Sequence, residues 1–139
     1  MANQGERPAT VGFDVITPDR LLLSDSADMV VAPGGDGDFG VLPGHAPLLT
    51  TLRPGVINVH RDDKITDRIF VAGGFAEVSD SRLTILAEEA QAVDDIEPDA
   101  AEQRLASARE TLEAADDAKK PRAEEEVRIA EAMVAAVAS

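Results

Sequence analysis

The chain has 139 residues, of which 27 are acidic and 13 basic, giving a net charge of −14, and it contains no cysteine. So acidic a surface repels phosphate backbones and anionic lipid heads, which sets aside nucleic acid and direct membrane contact. The lack of cysteine removes disulfides, thiolate nucleophiles and cysteine-bound zinc, and the length suits one domain, or one domain with an appendage.

Residues 1–9, Met1 to Ala9, are polar and hold no apolar stretch. They read as a disordered tail rather than a signal peptide, and a cytoplasmic product is the simple expectation. From Thr10 to Val93 the text is strand-like. Val11, Phe13 and Val15 recur at period two. A run at Val56, Ile57 and Val59 ends in the turn Arg61-Asp62-Asp63-Lys64, and Ile65 to Val71 returns. Phe75 to Val78 is followed by Ser79-Asp80-Ser81-Arg82 and then by Leu83 to Leu86. Short strands with turns at this spacing predict an antiparallel sandwich or a flattened barrel. All four aromatics, Phe13, Phe39, Phe70 and Phe75, lie in this part, which places the densest core here.

At Asp94 the composition changes: glycine stops, and alanine and acidic residues dominate. Residues 1–93 and 94–139 each carry a net charge of −7, so the second segment is twice as densely charged. Pro98 suits the first position of a helix, where its missing N–H costs nothing. Ala101, Leu105, Ala108, Leu112 and Ala115 then recur at steps of four and three, one apolar face. Asp116 to Lys120 interrupts the pattern, Pro121 opens a second helix, and Ala123, Val127, Ala130, Val134 and Val137 repeat it. The two helices form an antiparallel hairpin. Its alanine seam buries little apolar area, so the hairpin should be marginal alone and either dock on the sandwich or move.

Candidate sites are few. The stretch from Pro33 to Leu49 is rich in glycine but lacks the Lys-Ser or Lys-Thr of a phosphate loop. Asp36 and Asp38 supply too few oxygens for a dedicated cation cage, and Phe39 spoils the match to a calcium-binding nonapeptide. A tight loop between strands is the favoured reading. His45 and His60 have no paired metal spacing. His45 has no nearby serine or threonine nucleophile turn and suits a structural or interface role, while His60 reads as solvated. Gly73-Gly74 reads as a bulge or sharp bend. Glu88 and Glu89 are adjacent and would face opposite sides of a strand, so they read as solvated charge, like the acidic residues of the hairpin. Residue chemistry alone therefore gives no active site. A binding or assembly module fits, and a free-standing sandwich module or a small hydrolase using His45 or Glu77 are the competing readings.

Three blocks are more specific. Asp38 to Leu49, containing Phe39-Gly40-Val41-Leu42-Pro43-Gly44-His45-Ala46-Pro47-Leu48, resembles the signature of the F-type ATP synthase epsilon subunit family. Leu52-Arg53-Pro54-Gly55-Val56 and Val71-Ala72-Gly73-Gly74-Phe75-Ala76-Glu77-Val78, followed by Leu83 to Glu88, match the same family in the same order. The resemblance implies a ten-stranded antiparallel β-sandwich followed by a two-helix hairpin. It divides the chain into a tail over 1–9, a rotor-binding sandwich over 10–93 and a regulatory hairpin over 94–139.

The resemblance further implies a non-catalytic subunit of the central stalk, without cofactor or metal. Its partners would be the gamma subunit and the c-subunit ring, with alpha and beta subunits as further candidates through the hairpin. It would lie at the cytoplasmic face of the bacterial inner membrane, peripheral through the complex. Asp36, Gly37 and Asp38 occupy the family's ring-facing loop, and Leu42 and His45 the stretch associated with gamma. Some relatives bind ATP through a motif at the start of the first helix. Here Glu97 replaces its aspartate and Ala100 its arginine, in Ile96-Glu97-Pro98-Asp99-Ala100-Ala101, which predicts no nucleotide site.

Overall fold

The computed structural model describes residues 10–139, so the tail expected over residues 1–9 lies outside the described residues. The ten strands are β1 (Val11–Ile16), β2 (Leu21–Ala27), β3 (Met29–Gly34), β4 (Gly37–Val41), β5 (Leu48–Thr51), β6 (Gly55–Arg61), β7 (Lys64–Ala72), β8 (Phe75–Ser79), β9 (Arg82–Leu86) and β10 (Glu89–Ala92). A 3-10 turn over Val93–Asp95 leads into α1 (Pro98–Ala114) and α2 (Lys120–Ala138). The first sheet has the order β2-β1-β9-β8-β5 and the second β10-β7-β6-β3-β4. Every pairing is antiparallel except that of β1 with β9.

Alternation fixes which face of each strand turns inward. Val11, Phe13 and Val15 of β1 are fully buried, as are Leu83 and Ile85 of β9. Against them the second sheet sends Val30, Ile57, Val59, Ile69 and Val71. The tight turns foreseen after β6 and β8 are present. Asp62 and Asp63 have φ of 53° and 61°, and Asp80 and Ser81 have φ of 48° and 61°. Two successive left-handed residues match the right-handed twist of the strands they join, and aspartate tolerates this region better than most side chains. Gly74 joins β7 of the second sheet to β8 of the first at φ +105°, and a Cβ there would lie 1.9 Å from the Leu86 carbonyl oxygen. This crossing admits glycine alone.

The stretch from Pro33 to Leu49 is not a simple loop. Its turn is confined to Gly35 and Asp36, and Gly37 to Val41 pair with β3 as a strand, from Gly34↔Gly37 to Val30↔Val41. The ladder satisfies the backbone groups of a glycine-rich segment whose composition alone suggests irregular structure.

The helices follow the expected periodicity. Pro98 is the first residue of α1, and the Asp116 carboxylate accepts the Lys119 backbone N–H at 3.0 Å ahead of α2. Leu105, Ala108 and Ala130 form the seam between the helices. The hairpin docks on the outer face of the second sheet, where Phe70 and Ala72 of β7 pack with Val93, Ile96, Ala101, Met133 and Ala136. Arg68, on the same face of β7, donates to the Ala136 carbonyl at 3.2 Å and to Ser139 Oγ at 2.7 Å, so it holds the last turn of α2.

Candidate interaction site

The hairpin β3–β4 ends in an exposed tip at Gly35, Asp36 and Gly37. The tip is tied to the end of β5: the Gly35 N–H donates to the Thr51 carbonyl at 2.9 Å, and the Arg53 N–H to the Pro33 carbonyl at 3.0 Å. The three acidic-tip residues read from sequence are neighbours, but their chemistry differs. Asp38 accepts from Arg53 in an ion pair. Asp36 is exposed and has no ion-pair partner among the described residues.

Leu42 and His45 lie on the connection from β4 to β5, at the opposite end of β4 from Asp36. At about 3.4 Å per residue, five residues separate the two regions by roughly 17 Å. The His45 N–H donates to the Leu42 carbonyl at 3.1 Å, which closes a turn, and the Gly44 N–H donates to Ser81 Oγ at 3.2 Å, which pins that turn to the β8–β9 hairpin. The His45 ring is half-buried, with Nδ1 2.6 Å from the Ala46 carbonyl. It meets neither Glu77 nor a hydroxyl among the described residues, so no nucleophile–base pair is assembled.

The outer face of the first sheet carries a feature that the sequence reading missed. Leu21 stands beside Ile16, Ile16 beside Leu86, Leu86 beside Phe75, and Phe75 beside Thr51. Leu21, Leu86 and Phe75 are each about half exposed (56%, 49% and 53%), and Leu49, two residues before Thr51, is 71% exposed. This apolar strip crosses four strands and ends beside Thr51 of β5, next to the acidic tip. The other end of the same face is polar. There Arg82 donates to both Asp14 oxygens at 2.9 and 2.7 Å, and Ser24 donates to Asp14 at 2.6 Å. The Arg82 guanidinium holds the Asp14 carboxyl below the usual carboxylate range, and the Ser24 hydroxyl assists. The sequence signal was available: Leu86 and Phe75 interrupt strands whose alternate residues already supply the core.

Between the hairpin and β10 lies an open cleft of about 1230 Å³. Arg104 of α1 sits at its wall. Its guanidinium donates to both oxygens of Glu89 on β10 at 2.6 and 2.9 Å, and to both oxygens of Glu126 on α2 at 2.7 and 3.3 Å. Glu89 and Glu126 are therefore not solvated charges, as expected from sequence, but the two jaws of a clamp. Their hydrogen bonds hold the Arg104 guanidinium far above its ordinary range, Glu89 contributing most. Glu97 and Ala100 are exposed at the start of α1. Among the described residues, no group of three or more metal-ligating side chains is gathered.

The helical hairpin packs on β6 and β7 of the second sheet, the outer face of the first sheet keeps an apolar strip open, and the β3–β4 turn of the second sheet ends in an exposed acidic tip. That arrangement defines a binding and assembly module. Residues 10–93 match the family model described as ATP synthase, Delta/Epsilon chain, beta-sandwich domain. The chain belongs to this family, and within it is a non-catalytic subunit. It is 49% identical over 129 residues to the ATP synthase epsilon chain of Paramagnetospirillum magneticum, covering 92% of this chain and 97% of the relative. The ATP synthase epsilon chain of Rhodospirillum rubrum is 52% identical over 96 residues, 69% of this chain and 72% of that one. Among solved structures, a chain of the mitochondrial ATP synthase of Euglena gracilis, determined with its c-ring, superposes with a TM-score of 0.83 at 26% identity, covering 99% of this chain and 87% of that one.

Proposed function

We propose that this chain is a rotor part of the central stalk, which clamps the ring of c subunits to the gamma subunit so that proton-driven rotation reaches the catalytic sites on other chains. The observation that carries this reading is the strip of exposed Leu21, Leu86 and Phe75, joined by the half-buried Ile16, on the sheet face that the hairpin does not cover. A continuous apolar strip on an otherwise strongly acidic protein is costly to leave in water and marks a protein interface. Gamma takes this strip together with Leu42 and His45, and the c ring takes the tip at Asp36, Gly37 and Asp38. An acidic tip suits the basic groups of polar ring loops and guides register more than it adds affinity. Through these partners the chain would sit at the cytoplasmic face of the bacterial inner membrane; no helix of the described residues is long and apolar enough to cross a membrane.

The test is capture of gamma by the full chain. Phe75→Glu and Leu86→Glu are expected to weaken it at least tenfold each, the effect of losing an interface anchor and burying a charge in its place. Both side chains are half exposed, so the sandwich should keep its melting temperature. Unimpaired capture by both variants, or failure of the chain to co-purify with the synthase from its native membrane, would sink the reading.

The hairpin then acts as a weak regulator of ATP hydrolysis. In α2, Glu124, Glu125, Glu126 and Glu131 outnumber Lys120, Arg122 and Arg128. Arg128 is further committed to Glu125 at 2.7 Å. Little positive charge is left to meet an acidic segment of a catalytic subunit. Deleting Pro121 to Ser139 is therefore expected to change the ATPase rate of the assembled complex by no more than about twofold, the scale of one exposed ion pair. A many-fold rise would refute weak regulation.

A further inference from the structure

The block Leu52-Arg53-Pro54-Gly55 packs directly against the acidic hairpin. Leu52 is buried and bridges to Gly34. A Cβ on Gly55 would lie 2.9 Å from the Pro33 side chain, and one on Gly35 would lie 2.6 Å from Thr51 Oγ1. From this seam the Arg53 guanidinium reaches across the hairpin. Nη1 donates to the carbonyl of Gly34, the last residue of β3, at 2.6 Å. Nη2 donates to the carboxylate of Asp38, the second residue of β4. One fork thus spans both strands just inside the turn.

We propose that Arg53 is the positioning residue of the acidic tip: it commits Asp38 to an internal strut, so that Asp36 is the carboxylate offered to the partner. The inference rests on the reading of the tip as a ring contact and narrows it from two acidic residues to one. Three observations support it. Asp38 has a cation in hydrogen-bond contact, whereas Asp36 has none among the described residues. The same cation also holds a backbone carbonyl, which a freely solvated arginine would not. The tip is fixed to β5 and the Leu52–Gly55 segment by backbone bonds at Gly35 and Arg53, so the strut acts on a hairpin whose base is already anchored. A guanidinium has separate donors for the two acceptors in one rigid plane, while a lysine ammonium is a point charge on a flexible stem and would serve the pair poorly.

Exchange of the pair tests this. The variants are Arg53→Asp, Asp38→Arg, the double exchange, and Asp36→Lys in the native and exchanged backgrounds. Two quantities are read: amide exchange at Gly35 in the full chain alone, and proton pumping per ATP hydrolysed in the assembled complex. Each single change at Arg53 or Asp38 should speed Gly35 exchange about five- to tenfold and lower coupling about two- to fivefold, as expected for losing an exposed pair. The double exchange remakes the ion pair but leaves the Gly34 carbonyl without its donor, since a carboxylate at position 53 only accepts. It should therefore recover both quantities part of the way, to within about two- to threefold of the native chain. Asp36→Lys should lower coupling by the same factor in both backgrounds and leave Gly35 exchange unaltered. A double exchange that restores neither quantity overturns the strut. One that restores Gly35 protection but not coupling shows that the partner reads the Asp38 carboxylate itself, and also overturns the proposal. If no variant alters coupling, the ring contact falls and Asp36's role with it, while Gly35 exchange still reports on the strut separately.

Discussion

Replacing Phe70 by alanine is expected to cost about 3–5 kcal/mol of stability, the range for removing a buried aromatic side chain and leaving its cavity. Phe70 is fully buried although it lies on the outer side of β7. Its neighbours Ile69 and Val71 face the inter-sheet core, while Phe70 packs with Val93, Ile96, Ala101, Met133 and Ala136. Most of that second cluster is alanine or comes from the helical segment, so Phe70 is its one large ring. The loss should therefore fall on the hairpin more than on the sandwich. Chemical denaturation should show the drop in total stability. Hydrogen exchange should show α2 amides losing protection while β1 and β9 amides keep theirs relative to one another. Equal loss in α2 and β1 would mean that hairpin and sandwich unfold as one unit, and that the docking is not a separate layer of stability.

That two-layer construction explains what was legible in the sequence. Strands whose alternate residues enter one core, such as β1 with Val11, Phe13 and Val15, could be read directly, as could the turns at Asp62–Asp63 and Asp80–Ser81. Strand β2 was harder, because Leu21, Leu22 and Leu23 are followed by Ser24-Asp25-Ser26 and the segment pairs only as a sheet edge. Strand β4 was hidden by Gly37 and Gly40, and its evident structure comes from register with β3. The parallel pairing of β1 with β9 joins residues some 70 positions apart and leaves no local pattern. In α2 the four-three spacing pointed to Val134 and Val137, yet Met133 and Ala136 are the more deeply buried. The helix serves two contacts, the seam with α1 and the face of β7, and a single stripe cannot represent both. The arginines are the clearest case. Arg53, Arg68 and Arg104 each meet partners at least fifteen residues away, 71 in the case of Ser139. Their spacing in the chain carries no trace of it. The ring-facing and gamma-facing roles proposed for Asp36, Leu42 and His45 rest on family resemblance, since the residues themselves specify only surface turns.

The clamp at Arg104 bears on the second large expectation, that the full chain binds no ATP at micromolar concentration. At the motif positions Glu97 and Ala100 stand in place of an aspartate and an arginine, and alanine supplies neither donors nor charge to a phosphate or base. Losing one charge-assisted hydrogen bond costs about 1.5–3 kcal/mol, or roughly ten- to a hundredfold in affinity. Arg104, one turn further along α1, is the nearest substitute. It is already held by all four carboxylate oxygens of Glu89 and Glu126, so a nucleotide would have to displace one of them and leave that carboxylate unpaired. The cleft beside it is lined by Glu88, Glu89, Glu125 and Glu126 against Arg104, Lys119 and Arg122, a balance that disfavours a polyphosphate. Calorimetric titration with ATP and magnesium should give no saturable heat in the micromolar range. Ala100→Arg, which restores the guanidinium at its motif position, should tighten any residual binding about tenfold or more. Saturable micromolar binding by the native chain would show that Arg104 exchanges its carboxylates for phosphate at little cost, and that the clamp is a ligand site in its closed form.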